Sequence, residues 1–467
     1  MPRTKIVCTV GPASSSPEII REMITSGMNV ARLNFSHGSH EDHAEKIRTI
    51  RSLAAELNRP VAILQDLCGP KIRVGRIAEP GIQLRPGETF VLTTEDILGD
   101  NGRVGVSYHG LPTDVKVGDR ILLADGMMEL VVVRSTATEI LTKVVTGGVL
   151  TSHKGVNLPT RSMNIETLTS KDRLDLKFGL EHDVDFVALS FVRSEEDIRS
   201  LKAIIAEQNR RTPVVAKIEK HEALDHIDSI VDAADAVMVA RGDLGVEIPL
   251  ENVPNIQKMI IHKANRRGRP VIIATQMLRS MVDAPRPTRA EAADVANGVL
   301  DGADAVMLSE ETASGAYPLE AVRFMANIAG AAEERFPYQR YLKQRRHLDI
   351  SQSVAAAACN LAENINAAAI VATTRSGATA YHVARFRPRG RIIAVSPSEK
   401  TVRRLAMCWG CIPWHLNLAE DTDEMIESAA ESALQTGHVR SGDLVVITGG
   451  RPLYAAGTTN MLWVKRL

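Results

Sequence analysis

Six aliphatic runs in this 467-residue chain end in charged or hydroxyl side chains. In Ala31-Arg32-Leu33-Asn34-Phe35-Ser36-His37 polar and apolar residues alternate, so an extended strand presents Arg32, Asn34 and Ser36 on one face, roughly 6–7 Å apart. Lys217-Ile218-Glu219 repeats the device with an ammonium and a carboxylate. Asp66, Arg241-Gly242-Asp243, Thr275-Gln276 and Ser309-Glu310-Glu311 close four further runs. One polar strand end is an ordinary loop start. Six on one rim make a site, because charges gathered away from water must pair with one another, a metal or a substrate.

The side-chain types narrow the chemistry. Arg32, Arg73 and Lys217 suit an anionic substrate, since guanidinium forks match phosphate or carboxylate oxygens. Glu219 and Asp243 are hard oxygen donors of the kind that hold Mg2+ or Mn2+, and no His/Cys cluster suggests zinc. Backbone N–H groups at Gly242 and Asp243-Leu244-Gly245 could hold a carboxylate, with the Thr275 hydroxyl beside them. Arginine, lysine and metal around a phosphoryl group are the usual apparatus of phosphoryl transfer. There is no Walker A string and no kinase-type glycine loop. The residues alone indicate a metal-dependent phosphoryl-transfer or enolate enzyme.

These groups need elements to position them. The runs Lys5–Val10, Val30–Phe35, Val61–Gln65, Phe186–Phe191, Val214–Ile218, Ala236–Ala240, Val271–Ala274 and Ala305–Leu308 are nearly all apolar, as strands buried on both faces must be. Helical periodicity separates them, as in Pro17–Ser26, His40–Leu57 and a segment through Leu180 with Ser170 as its N-cap. Eight such strands predict a (β/α)8 TIM barrel, with an open doubly wound sheet as the rival. Residues 1–67 form its first part and 168–345 the second. Between them, 68–167 read as an inserted β-rich domain, with strands at Glu88–Thr93, Asp119–Leu123 and Glu129–Arg134 and turns at Pro86-Gly87, Gly118-Asp119 and Asp125-Gly126. Inserted in a βα loop, it is expected to act as a lid over the active-site rim. Residues 346–467 predict a C-terminal α/β regulatory domain with strands at Ala367–Ala372, Arg391–Val395, Ile412–His415 and Asp443–Thr448.

Composition excludes other partners. With 56 basic and 56 acidic residues the net charge is zero, so no global basic field gathers nucleic acid or acidic membranes. Eight Phe, three Trp and six Tyr leave little for base stacking. No apolar stretch reaches about 18 residues, the length that spans a bilayer, and the first residues do not read as a signal peptide. Five irregularly spaced cysteines form no disulfide framework, which points to a cytoplasmic protein with reduced thiols.

The strings KIVCTVGPAS, GMNVARLNFSHG, DLCGPKIR, KGVNLP, AKIEKHEAL, VARGDLGVEIP, ATQMLRSM and PRPTRAEAADVANGVLDGADAVMLSEETASGAYP, in this order, closely resemble the pyruvate kinase family. The resemblance implies transfer of the phosphoryl group of phosphoenolpyruvate to ADP, giving pyruvate and ATP in the last step of glycolysis. It implies that Arg32 and Arg73 hold the phosphoryl group, that Lys217 stabilises it and the enolate, and that Glu219 and Asp243 bind Mg2+ or Mn2+. Thr275 would contact the substrate carboxylate with Gly242 and Asp243, and Ser309 would lie near the site. His37, Asn34, Arg73 and Lys154 resemble nucleotide contacts. Many members hold K+ through groups matching Asn34, Ser36, Asp66 and the Leu67 carbonyl, beside a glutamate in a GPEIR string. Here that string is Gly69-Pro70-Lys71-Ile72-Arg73, resembling the K+-independent subgroup, so the Lys71 ammonium is expected to replace K+. A homotetramer is the family expectation. A metal-dependent pyruvate-forming lyase and a non-catalytic homologue are the competing readings; the first needs no ADP site, and the second would be expected to lose Lys217, Glu219 or Thr275.

Thr373-Thr374-Arg375-Ser376-Gly377-Ala378-Thr379 lies between a predicted strand and helix. Its hydroxyls, glycine and arginine form a phosphate cradle, resembling the effector loop of regulated members, and Gly450-Arg451-Pro452 could close the same pocket. A sugar-phosphate or nucleotide-phosphate activator is expected, with Thr374, Arg375, Ser376, Gly377 and Thr379 as its contacts. Cys408-Trp409-Gly410-Cys411 follows a helix instead of opening one, which argues for packing over redox chemistry.

Overall fold

The computed structural model describes residues 2–159, 165–343, 349–453 and 458–467. The first three aliphatic runs form β1 (Lys5–Thr9), β2 (Met28–Asn34) and β3 (Ala62–Asp66). An insertion follows with β4 (Ile82–Leu84), β5 (Thr89–Thr93), β6 (Arg103–Gly105), β7 (Arg120–Leu123), β8 (Met128–Ser135), β9 (Glu139–Thr146), β10 (Gly148–Leu150) and β11 (Val156–Asn157). The chain then returns through β12 (Phe186–Leu189), β13 (Val214–Ile218), β14 (Ala236–Ala240), β15 (Val271–Ala274) and β16 (Ala305–Leu308). β1–β3 and β12–β16 close an all-parallel barrel in the order β1-β16-β15-β14-β13-β12-β3-β2. The barrel replaces the open-sheet alternative because β1 pairs with both β2 and β16, leaving no edge.

Alternate residues of these strands serve different layers. Val7, Val30, Leu64, Ala188, Val215, Met238, Ile272 and Met307 fill the interior, while Ile6, Ile63, Val187, Val239 and Ile273 pack outward against the helices. Capping boxes start the helices on schedule: Ser39 with Asp42, and Thr288 with Glu291. The helix Ser170–Glu181 is capped one residue earlier than its sequence suggests. Thr169, not Ser170, is the N-cap, because its hydroxyl accepts from the Asp172 N–H while the Asp172 carboxylate accepts from the Thr169 N–H. The other Asp172 oxygen accepts from Gly69 N–H at 3.1 Å and so ties the exit of the barrel chain to this cap.

The insertion has a six-stranded sheet in the order β11-β7-β8-β9-β5-β6 and a small β10-β4 pair, around its own apolar core. Asp125-Gly126 turns β7 into β8 with both residues at positive φ, the twist that suits a tight hairpin. The C-terminal unit contains β17 (Ala369–Thr373), β18 (Arg391–Ser396), β19 (Cys411–His415), β20 (Leu444–Gly449) and β21 (Met461–Arg466), in the order β19-β18-β17-β20-β21. Among its described strands only β21, an edge strand that the sequence pattern did not reveal, is antiparallel. Residues 344–348, which hold the expected boundary at 345/346, lie outside the described residues.

The C-terminal unit seals the bottom of the barrel. Ala406 and Met407 pack into the interior layer, and Lys5 at the start of β1 donates to the Cys411 carbonyl at 2.6 Å. Arg387, 1% exposed, forks onto both Asp304 oxygens at 2.8 and 2.9 Å and also donates to Asn265 Oδ1 and the Gly302 carbonyl. Cys408 and Cys411 are buried, free thiols at this joint, and burial pushes the Cys408 thiol well up, the opposite of a redox-active thiolate. No helix among the described residues is long and apolar enough to cross a membrane.

Candidate active site

Strand parity selects what reaches the rim. Val7, Val30, Leu64, Ala188, Val215 and Met307 face the interior, so Thr9, Arg32, Asp66, Ser190, Lys217 and Ser309, each two residues further on, point inward where the strands end. Their side chains meet in one network. Arg32 Nε donates to Asp66 Oδ2 at 2.6 Å and its Nη1 to Thr9 Oγ at 2.9 Å. Lys217 Nζ lies 3.2 Å from Asp66 Oδ1, 2.9 Å from Glu219 Oε1 and 2.6 Å from Ser190 Oγ. Glu219 Oε2 accepts from Phe191 N–H at 2.7 Å. Two cations and two carboxylates thus interlock at the barrel mouth.

The electrostatics follow from that arrangement. Burial alone would raise the Asp66 pKa, but Lys217 and Arg32 outweigh it and hold the carboxyl below its ordinary range. Burial would lower the Lys217 pKa, and the two carboxylates carry it above the usual lysine value instead. Glu219 goes the other way. Burial pushes its carboxyl up, Lys217 only partly opposes this, and the Asp243 charge adds to it. A carboxylate held high by burial and a second carboxylate has an unmet need for positive charge, and two hard oxygen donors fit a divalent cation.

Thr275 breaks the parity rule. Ile272 and Ala274 face the interior, so regular alternation would turn Thr275 outward. Positive φ at Thr275 (71°) and Gln276 (54°) reverses it, and its Oγ accepts from Gly242 N–H at 2.6 Å. A Cβ at Gly242 would stand 3.3 Å from that oxygen, so glycine permits the close approach. Arg241 fixes the turn by donating to the Thr275 carbonyl at 2.8 Å and to both Asp294 oxygens. Asp243 is carried by the short helix Arg241–Glu247. Ser309 Oγ is buried with no hydrogen-bond partner among the described residues.

A cavity of about 850 Å3 joins Thr9, Arg32, Asn34, His37, Thr275 and Ser309. Lys71, Arg73 and Lys154 do not line it. The Lys71 ammonium sits 3.3 Å from Asp243 and 3.8 Å from Asp125 of the β7–β8 hairpin. Among the described residues it forms no hydrogen bond or ion pair with Asn34, Ser36, Asp66 or the Leu67 carbonyl. Within that set, Asn34 Oδ1 accepts from Ser36 N–H at 3.2 Å and the Leu67 carbonyl accepts from Ser190 Oγ at 2.8 Å. Arg73 donates to the His153 carbonyl at 3.0 Å, and Lys154 is exposed on the same edge of the insertion. Neither touches the Arg32 network. The insertion also reaches the barrel through Asn157, whose amide donates to Glu247 at 3.3 Å. Glu247 converges there with His221 and Glu222, a metal-like trio that the sequence reading overlooked, but Lys220 at 2.8 Å already supplies its countercharge.

In the C-terminal loop, Thr374 Oγ accepts from Gly377 N–H at 2.9 Å, and Gly377 has φ +94°. Arg375 and Ser376 are exposed. Thr379 is instead buried, and its hydroxyl shares a 2.9 Å hydrogen bond with Thr459. The helix that follows, Ala378–Ala384, has seven residues, so any anion there would rely on loop N–H groups and side chains more than on a helix dipole. Thr374, Arg375, Ser376, Thr379 and Gly450 line the same pocket.

Two residues of the site were missed from sequence. Ser190 hides in the run Leu189-Ser190-Phe191, which reads as buried strand. Thr9 ends β1 before Val10 and looks like one more β-branched residue. The usable signal was parity, since Thr9 and Ser190 complete the polar rim at the two strands where none had been recognised.

The family model for the pyruvate kinase barrel domain matches residues 1–322, and that for the pyruvate kinase alpha/beta domain matches 352–465. A pyruvate kinase of Clostridium acetobutylicum is 44% identical over 470 residues, spanning 100% of this chain and 99% of the relative. Pyruvate kinase 2 of Synechocystis sp. is 46% identical across 99% of this chain and 79% of its own length. The pyruvate kinase of Geobacillus stearothermophilus is 47% identical across 99% of this chain and 80% of its own length. The interlocked rim and these full-length likenesses agree, and the chain belongs to the pyruvate kinase family.

Proposed function

We infer that the rim network performs the family reaction, moving the phosphoryl group of phosphoenolpyruvate to ADP, with the side chains in the following roles. Arg32, anchored through Nε to Asp66 and Nη1 to Thr9, offers its remaining N–H groups to the phosphoryl oxygens. Lys217, held by Asp66, Glu219 and Ser190, meets charge developing on the transferred group and on the enolate, and is already oriented to do so. Glu219 and Asp243 would hold Mg2+ or Mn2+, which when bound supplies further positive charge to those oxygens. Gly242, Asp243 and Thr275 form the wall that receives the substrate carboxylate. His37, Asn34, Arg73 and Lys154 serve the nucleotide, the last two from the insertion, whose closure over the rim keeps water from competing with ADP. The observation that carries this reading is Lys217 fixed between two buried carboxylates beside Arg32. A lactate dehydrogenase-coupled assay of pyruvate formation from phosphoenolpyruvate tests it. Turnover that requires ADP supports it, ADP-independent pyruvate would favour a lyase, and no pyruvate under either condition would favour a non-catalytic homologue.

Finer features belong to the same proposal. Lys71 makes the enzyme independent of K+; the support is its sequence position and an ammonium already at the site's edge, against Asp243. Large stimulation by K+ over Tris or tetramethylammonium would end that idea. The Thr373–Thr379 loop binds a phosphorylated activator, and kinetics unmoved by a panel of sugar phosphates and AMP would count against it. Residues 68–167 move as a lid, the enzyme is a homotetramer, and it works in the cytoplasm.

A further inference from the structure

We propose that His43 is a positioning residue that holds the His37–Gly38 turn in place for the nucleotide. The inference rests on the reading of His37 as a nucleotide contact. The turn connects β2 to the helix His40–Glu56, and the rim cavity extends from Arg32 and Asn34 over His37, Gly38 and His43. His37 itself is exposed, and its N–H donates to the Asn34 carbonyl at 3.3 Å. A further hold on the turn lies underneath. His43 is 3% exposed, its ring lies flat on Phe35 with centroids 4.0 Å apart and planes 13° apart, and its Nε2 is 2.9 Å from the His37 carbonyl.

A carbonyl oxygen only accepts, so Nε2 must carry the hydrogen. An imidazolium would carry that hydrogen too, but an Nδ1 buried without a partner among the described residues, and burial that lowers the ring's pKa, select the neutral Nε2–H tautomer. Gly38 completes the seat. Its φ is +82°, and a Cβ there would stand 3.4 Å from His43 Nε2, so the turn rests directly on the imidazole. The ring is in turn set by the first helical turn, whose capping box joins Ser39 and Asp42. Asn34 ties the β2 side of the turn through Ser36 N–H and His37 N–H, and the His43 bond adds the rigidity of a capped helix to this exposed turn at the cavity mouth.

The test compares His43→Phe, which keeps a flat ring on Phe35 but has no donor, with His43→Gln, whose amide can still donate, and with His37→Ala. For each, KM for ADP, KM for phosphoenolpyruvate, kcat and the thermal midpoint are measured. His43→Phe is expected to raise KM for ADP about tenfold, the effect of one lost hydrogen bond, with KM for phosphoenolpyruvate within about twofold, and His43→Gln to recover most of the loss. In the unsubstituted enzyme, imidazole 15N shifts are expected to report the Nε2–H tautomer. If His37→Ala raises KM for ADP and His43→Phe does not, the inference is wrong and the nucleotide reading stands. If neither variant moves it, the nucleotide reading fails and takes the inference with it. If both substrates' KM values and kcat worsen together, without recovery in His43→Gln, His43 is merely structural and the inference is overturned.

Discussion

Replacing Asp66 with asparagine keeps the shape of the side chain and removes one charge from the centre of the rim. Asp66 is 1% exposed and faces Arg32 at 2.6 Å and Lys217 at 3.2 Å. At an effective dielectric of about 20, each contact is worth about 5–6 kcal/mol before desolvation. Burying the carboxylate offsets several of these, so breaking the pair is expected to cost about 3–5 kcal/mol. The variant retains Glu219 against Lys217 but leaves one buried cation uncompensated. Because Asp66 is held below its ordinary pKa, its contribution is present above about pH 4 and is lost as the pH falls through the lowered value. The stability curves of the two proteins should therefore be separated at neutral pH and converge on the acid side. Lys217 behaves oppositely: its raised pKa contributes stability that is fully present below about pH 10.4 and is lost as the pH rises toward the raised value; without Asp66 that contribution is smaller, so the two curves should also draw closer on the alkaline side. Urea midpoints followed by circular dichroism across pH measure this, compared as midpoints because a multidomain chain is not two-state. The coupled assay should show kcat down by about 100-fold or more, since Lys217 and Arg32 lose their common anchor. A neutral-pH midpoint within error of the unsubstituted protein, or a deficit that persists unchanged in acid, would refute the electrostatic account.

Thr275→Val keeps the volume but removes the oxygen that accepts from Gly242 N–H; kcat should fall about 100-fold with a smaller change in stability. Glu219→Gln should weaken Mn2+ binding, read by isothermal titration, about tenfold or more, while the barrel remains folded by circular dichroism. Arg387→Met unpairs the buried Asp304 at the base of the barrel and should cost about 3–5 kcal/mol of stability, seen as a lower thermal midpoint with kcat nearly unchanged. Lys71→Glu should create K+ activation where the unsubstituted enzyme shows little, measured as the ratio of rates in K+ and tetramethylammonium.

Much of the barrel was legible because parallel strands covered on both faces must be apolar throughout, and runs such as Val214–Ile218 and Ala236–Ala240 form strands with those limits. Strand ends were less legible where polarity was faint. Thr9 and Ser190 are small hydroxyl residues inside aliphatic text, and only their partners, Arg32 and Lys217, mark them as part of the site. β9 and β21 went unseen for a similar reason: Glu139–Thr146 and Met461–Arg466 are partly exposed and carry a weaker pattern. In the C-terminal loop, Thr379 lines one pocket with Arg375 and Ser376, as composition grouped them, but its hydroxyl is also held by Thr459, a partner 80 residues away that no local pattern reveals.

The sequence by itself determined the alternation of buried strands and capped helices, the polar rim and the kind of chemistry that Arg32, Lys217, Glu219 and Asp243 can support. These follow from local rules, the two-residue period of a strand and the cost of burying unpaired charge. Only the tertiary structure decided which charges pair. Asp66, Lys217 and Ser190 stand in or just after three different strands, and no local rule states that their side chains interlock. It also decided that Thr275 faces inward, because positive backbone angles there override the strand period. It placed Lys71 against Asp243 and Asp125, because the insertion folds back over the barrel and its charges settle on the nearest carboxylates.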